Sequence, residues 1–259
     1  MIEYFNVLNS RKNATHLWCT GDTPELYREY NERIKSPNLY KPGGFTYKYN
    51  DYGFRCDDFS LSSDINIVFL GCSMTEGCGL PVETVWAYQL LNRIRQKTNK
   101  NICYWNLALA GMGIDSQSFL LHWFSRMKNI DYVFSFIPPL NRREYLYDLD
   151  RIQYWNMHMQ NPNRIIVDEL FSDKNYMMFQ NYRSLMIIES IILNRSIMYC
   201  TSWDISETAD ILKLKEFNSL NYFLSYTQFL DYARDGAHPG PRYHNDLCDS
   251  FWNEIEHLF

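Results

Sequence analysis

The chain predicts an α/β fold, a three-layer α/β/α sandwich around a central parallel sheet, and two observations in its 259 residues carry that expectation. The segment 65–71, INIVFLG, is a short continuous apolar run that stops at a glycine, and 102–109, 132–139 and 196–203 carry further runs of strand-like composition. Strands of this kind are buried on both faces. Between them lie segments whose apolar residues recur at helical spacing, and strands alternating with helices build a parallel sheet. No internal repeat or low-complexity linker divides the chain, so one domain is expected.

Taken in order, residues 1–60 are polar, Tyr-rich and turn-rich, with KPGGF at 41–45 and NDYGFRCDDF at 50–59. They read as an irregular lead-in packed on the domain, with one helix near 24–34 and a hairpin around Asp51 and Gly53. The body spans 61–259. Its first strand, 65–71, delivers Ser73 to a sheet edge. The spacing of Val85, Trp86, Tyr88, Leu90, Leu91 and Ile94 predicts a helix over 84–95. A second strand at 102–109, a helix at 116–127, a third strand at 132–139 and a fourth at 196–203 follow. The 143–194 segment is too long for a simple crossover; it contains a helix at 176–193 and reads as a lid or a substrate-selecting insertion. Leu247, Phe251, Ile255 and Leu258 predict a docked helix at the C-terminus.

Composition narrows the function classes. A net charge of −5 and a pI near 5.7 give no general attraction to nucleic acid or an anionic membrane, so neither partner is expected. The first residues lack a basic stretch followed by an apolar one, and no run reaches the roughly 18 apolar residues of a membrane helix. The seven cysteines are scattered and never form a CxxC pair, which fits reduced thiols in a cytoplasmic setting. His16, His122, His158, His244 and His257 share no metal-ligand spacing and read as surface or satisfied core groups. Neither GxxxxGK[ST] nor GxGxxG follows the first strand, so no bound nucleotide is expected. No metal is proposed, and no cofactor is expected.

Three pieces carry the chemistry: GCSMTEG at 71–77 after the first strand, NLALAGMG at 106–113 after the second, and DGAHP at 235–239 before the last helix. Loops at the carboxyl ends of parallel strands converge on one crevice. A serine hydroxyl becomes a useful nucleophile when an imidazole takes its proton, and a carboxylate must hold that imidazole in the right tautomer. The spacing of Asp235 and His238 permits both to project to one side of a single turn.

These residues resemble the SGNH (GDSL-type) hydrolase family at Gly71, Ser73, Thr75, Gly77, Asn106, Gly111, Asp235, His238 and Pro239. The resemblance runs from about residue 50 to the C-terminus, with the 143–194 insertion unmatched. It implies a flavodoxin-like sheet and no cofactor, with Ser73 as nucleophile, His238 as base and Asp235 behind it. The implied oxyanion donors are the amides of Ser73 and Gly111 and the side chain of Asn141. Two positions depart from the pattern: Cys72 stands where the family has Asp, a residue outside the triad, and PLNR replaces the GxND block so that only Asn141 matches. Arg142 is a candidate for holding an acidic substrate group, although a solvated or ion-paired position is the commoner role. Cys72 and Cys78 flank the nucleophile loop and read as small packing groups. Glu76 fits as an acidic residue near a helix N-terminus.

The implied activity is ester hydrolysis, on a small-molecule or carbohydrate ester. O-acyl transfer through the same acyl-enzyme, and a silent module keeping the fold, are the alternatives.

Overall fold

The computed structural model describes residues 6–30, 44–139, 142–148, 151–155, 174–192, 197–202, 220–223 and 230–259. At its centre is a five-stranded parallel sheet. Strand β1 (Thr15–His16) pairs antiparallel with β2 (Tyr47–Lys48) outside it. The sheet holds β3 (Ile67–Leu70), β4 (Trp105–Asn106) and β5 (Tyr132–Ile137). Beyond β5 come the antiparallel hairpin β6 (Arg143–Asp148) and β7 (Arg151–Trp155), then the sheet strands β8 (Ile197–Ser202) and β9 (Leu220–Tyr222). The order across the sheet is β4-β3-β5-β8-β9, with every pair parallel. Numbered within the sheet alone this is 2-1-3-4-5, the doubly wound order whose switch point lies between its first and third strands, here β3 and β5.

Alternation along β3 explains the layers. Val68 and Leu70 join one core cluster and Ile67 and Phe69 the other, so a fully buried strand feeds both faces. The helices, in chain order, are α1 (Asn6–Asn9), α2 (Pro24–Glu29), α3 (Ser73–Glu76), α4 (Trp86–Thr98), α5 (Ile114–Ser125), α6 (Lys174–Ile192) and α7 (Pro241–Ile255). Leu120, Leu121 and Phe124 of α5 and Leu185, Ile188 and Ile192 of α6 cover the Val68 face. Trp86, Leu90 and Ile94 of α4 and Leu247, Phe251 and Ile255 of α7 cover the other. There the Trp86 and Phe251 rings stack at 4.5 Å between centroids, and both are fully buried. Burying a large aromatic stabilises by several kcal/mol on the order of 25 cal/mol per Å². Leu8, Phe54 and Phe59 bring the lead-in into the first cluster.

Several expectations change. β4 is two residues long, although 102–109 reads as a strand. It is an edge strand, and the amides just before it turn away from the sheet: Cys103 N–H donates to Ser63 Oγ at 3.1 Å and Tyr104 N–H to Asp57 Oδ2 at 2.8 Å. No hairpin forms around Asp51 and Gly53. Instead Asn50 Oδ1 accepts from the amides of Tyr52 and Phe54, both at 3.0 Å, and Gly53 takes a φ of +88°. That side chain closes the loop on itself, and β2 pairs backwards with β1. Only Pro24–Glu29 of the expected 24–34 helix is assigned to α2, and 31–43 lies outside the described residues. The helix expected at 176–193 forms as α6 and packs against α5, so it serves as the crossover helix leading to β8. The fifth strand, β9, has no counterpart in the sequence reading. All seven cysteines are free. Among the described residues no helix is long and apolar enough to cross a membrane.

His244 of α7 is a satisfied core histidine. It is 1% exposed, and its Nδ1 accepts the Trp86 backbone N–H at 3.2 Å. Burial, with the nearby His238 in support, lowers its pKa from 6.5 to about 3. The unfolded chain therefore takes up a proton near pH 6.5 that the folded one refuses until about pH 3. This stabilisation is complete above the unfolded value and drains away as pH falls through that window. Denaturant titrations across the window should show this loss in the wild type and a shallower one in His244→Gln, whose amide oxygen can still accept from Trp86. An equal pH slope in both proteins would remove His244 as the cause.

Candidate active site

The chain leaves β3 through Gly71 and Cys72 and enters α3 at Ser73, so the serine occupies the first turn of a one-turn helix. Its backbone N–H therefore has no acceptor within the helix. Gly77, in the left-handed region at φ +82°, ends the helix and returns its N–H to Ser73 O at 2.9 Å. Ser73 is 5% exposed, and its Oγ lies 4.0 Å from Cys72 Sγ. Asn106, at the end of β4, holds this turn from the side. Its Nδ2 donates to Thr75 O at 2.6 Å and to Tyr104 Oη at 2.7 Å, while its Oδ1 accepts from Ala108 N–H at 3.0 Å.

Glu76 closes the space between the first two loops. It is 1% exposed; Oε1 accepts from Arg11 Nη1 at 2.7 Å and Oε2 accepts from Ala110 N–H at 2.6 Å. The residue after that amide is Gly111, at φ +82°, exposed at the loop tip. A side chain read in sequence only as a helix-end acid thus fixes the loop of a proposed oxyanion donor. Burial works against the charge of Arg11, but the Glu76 carboxylate, together with Tyr49, Cys78 and Cys19, more than offsets it and raises its pKa. Arg11 Nη2 also donates to Thr20 Oγ1 at 3.0 Å, and its guanidinium lies over the Tyr49 ring.

Asp235 and His238 come together in the loop before α7. Asp235 is fully buried, its Oδ1 accepts from the amides of Ala237 and His238 at 3.0 Å, and its Oδ2 takes the Nδ1–H of His238. With Nδ1 so engaged, Nε2 is the free position of the neutral ring. Burial alone would depress the His238 pKa; the hydrogen bond and charge of Asp235 more than offset it and raise it above 6.5. The His238 side chain is 20% exposed. Among the described residues no hydrogen bond joins its ring to Ser73 Oγ, a contact that in unliganded sites is often loose.

The two loops are laced together. Arg234 N–H donates to Gly79 O at 3.0 Å, and a Cβ on Gly79 would stand 3.3 Å from Asp235 Cγ. The lead-in completes the enclosure. Tyr47 Oη accepts from Gly79 N–H at 2.7 Å and donates to Asp22 at 2.6 Å, and Asp22 pairs with Arg234. Gly21 packs on the His238 ring, where an added Cβ would meet His238 Cε1 and Cys78 Sγ, both at 3.3 Å. Cys78 is buried against Cys19, with 3.5 Å between the sulfurs. Asp22, Tyr47 and Arg234 escaped the sequence reading because their partners are remote in the chain.

Asn141 lies outside the described residues. Arg142 follows β5, half-buried. Among the described residues no group of three or more His, Cys, Asp or Glu side chains is arranged to hold a metal ion.

No protein-family model matches the chain, and no curated protein matches it. Solved structures do. The chain is similar to TesA, with a TM-score of 0.51 at 12% identity, over 75% of this chain and 99% of that one. It is also similar to the psychrotrophic esterase EstA from Pseudoalteromonas sp. (TM-score 0.49, 11% identity, 75% of this chain and 98% of that one). A GDSL-like lipase from Bacteroides thetaiotaomicron matches with a TM-score of 0.45 at 12% identity, over 77% of this chain and 94% of that one. At these identities what the likeness to TesA establishes is the fold, a parallel sheet flanked by helices.

Removing Glu76 leaves Arg11 buried and unpaired, a situation that costs about 3–5 kcal/mol. Glu76→Ala should therefore lower the unfolding free energy by about that amount, and pairing it with Arg11→Leu should recover part of the loss. Additive losses in denaturant titrations of the single and double variants would show that the pair does not act as a unit.

Proposed function

We propose that the protein is a serine ester hydrolase in which Ser73 attacks the ester carbonyl, His238 takes its proton and Asp235 holds the imidazole. The observation that carries this reading is the Asp235–His238 pair, whose geometry leaves Nε2 as the base, set in a loop laced to the one that bears Ser73.

In this reading His238 Nε2 accepts the Ser73 proton as Oγ bonds to the carbonyl carbon. The resulting imidazolium is stabilised by the buried Asp235 carboxylate. The carbonyl oxygen becomes an oxyanion, met by the amides of Ser73 and Gly111 and by the Asn141 side chain. Collapse expels the alcohol, which takes the proton from His238 and leaves an acyl-Ser73 ester. Water, deprotonated by the same imidazole, then releases the acid. The acyl group in this reading is a small one such as acetyl. The alcohol, a carbohydrate or another hydroxyl compound, extends toward the more exposed His238.

Only the neutral imidazole can act as base. Because Asp235 raises the His238 pKa, the inactive protonated form persists to a higher pH than an ordinary histidine would allow. With p-nitrophenyl acetate, kcat/KM should therefore rise with pH through a midpoint above 6.5. Ser73→Ala should abolish the turnover while melting like the wild type, a loss on the order of 10^6-fold for an intact triad. Wild-type turnover in a folded Ser73→Ala protein would sink the nucleophile assignment.

A further inference from the structure

Four arginines stand around the proposed site, and three have their acceptors in hand. Arg11 is paired with Glu76. Arg55 donates to the carbonyl oxygens of Glu76, Gly77 and Leu80. Arg234 is held by Asp22 and Leu17 O and lies against the rings of Trp18 and Phe45.

Arg142 differs. Its backbone N–H donates to Pro139 O at 3.1 Å, which turns the chain just beyond the carboxyl end of β5. Its Nη1 is closed off from solvent and has no hydrogen-bond partner, and no carboxylate among the described residues pairs with it. A guanidinium nitrogen buried without an acceptor is costly. The neighbouring strand β3 ends beside β5, with Leu70 opposite Ser135, and leads directly to Ser73. Ser73 and Arg142 therefore emerge on the two sides of the sheet's switch point, where doubly wound sheets take their ligands. The positive charge of Arg142 also acts on His238, opposing the effect of Asp235.

We infer that Arg142 receives an oxyanion, a carboxylate or a phosphate, on the alcohol portion of the substrate. A guanidinium recognises both through parallel N–H donors. The alcohol side is assigned because Arg142 lies within electrostatic reach of His238, the group that returns a proton to the leaving alcohol. This deepens the proposed hydrolase: its ester carries a negative charge next to the scissile bond. The assignment to an alcohol rests on that reading, whereas the anion site itself does not.

Two measurements separate them. The first compares kcat/KM for 3-acetoxybenzoate and for its neutral methyl ester, at a pH above the His238 transition, in wild type and Arg142→Met. The anionic-to-neutral ratio should fall by about 10- to 100-fold in the variant, the worth of charge-assisted hydrogen bonds, and Arg142→Lys should recover part of it. An unchanged ratio would overturn the assignment. The second is calorimetric titration of Ser73→Ala with benzoate and with inorganic phosphate, alone and combined with Arg142→Met. Saturable binding of either anion that disappears with Arg142→Met is expected, and whichever binds tells carboxylate from phosphate. Absence of binding of both, or binding that survives the substitution, overturns the anion site. If the wild type cleaves neither ester while Arg142-dependent binding holds, the hydrolase reading fails and the anion site stands.

Discussion

The site depends on how tightly the chain turns out of β3. A Cβ on Gly71 would fall 1.9 Å from Thr75 Oγ1 and 2.5 Å from Thr75 Cβ, so no other residue fits there without moving the turn. The contact it permits does several things at once. Thr75 Oγ1 accepts the indole N–H of Trp86 at 3.3 Å, tying the turn to α4, and Thr75 O accepts from Asn106 at 2.6 Å, tying it to the end of β4. Ser73 is thereby placed in the first helical turn with its amide free of the helix ladder. Arg55 then donates to the carbonyl of Glu76 at the end of the helix and to those of Gly77 and Leu80 in the loop beyond it.

Rigidity around this turn comes from the lead-in. Asp22 is fully buried, and its carboxylate is shared by Tyr47 and Arg234. A buried ion pair is stabilising only when its remaining donors and acceptors are met. Here Leu17 O and the faces of Trp18 and Phe45 meet the rest of Arg234. Arg234 immediately precedes Asp235, and Gly21 immediately precedes Asp22, so one ion pair sets both the loop bearing the imidazole and the wall against which that imidazole rests. Preorganised groups of this kind do not have to reorient as charge develops. In physical terms the described parts of the lead-in brace the candidate site as much as the sheet does.

What the sequence disclosed follows the range of the interactions involved. INIVFLG named β3 and its glycine stop because burial on both faces leaves a local apolar run. DGAHP pointed to the Asp235–His238 pair because three residues of separation permit the side chains to meet and the family resemblance implies that they do. The Glu76–Arg11 pair, 65 residues apart, and the Asp22–Arg234 pair, 212 apart, leave no local signature. β4 is shorter than its composition predicts because its position at the edge lets Ser63 and Asp57 capture the two amides just before it. β9, three residues long, is too short for period-2 alternation to announce it. Arg142 was visible as a cation after the third strand, but that its Nη1 is buried without an acceptor required the packed chain.

The central claim is that Ser73 is activated by His238, and reaction with a fluorophosphonate followed by peptide mass mapping tests it most directly. The expected result is a single adduct on Ser73, formed faster as pH rises through the His238 transition and absent from both Ser73→Ala and His238→Ala. No adduct at any pH, or labelling of Ser73 that persists at the wild-type rate in His238→Ala, would contradict it.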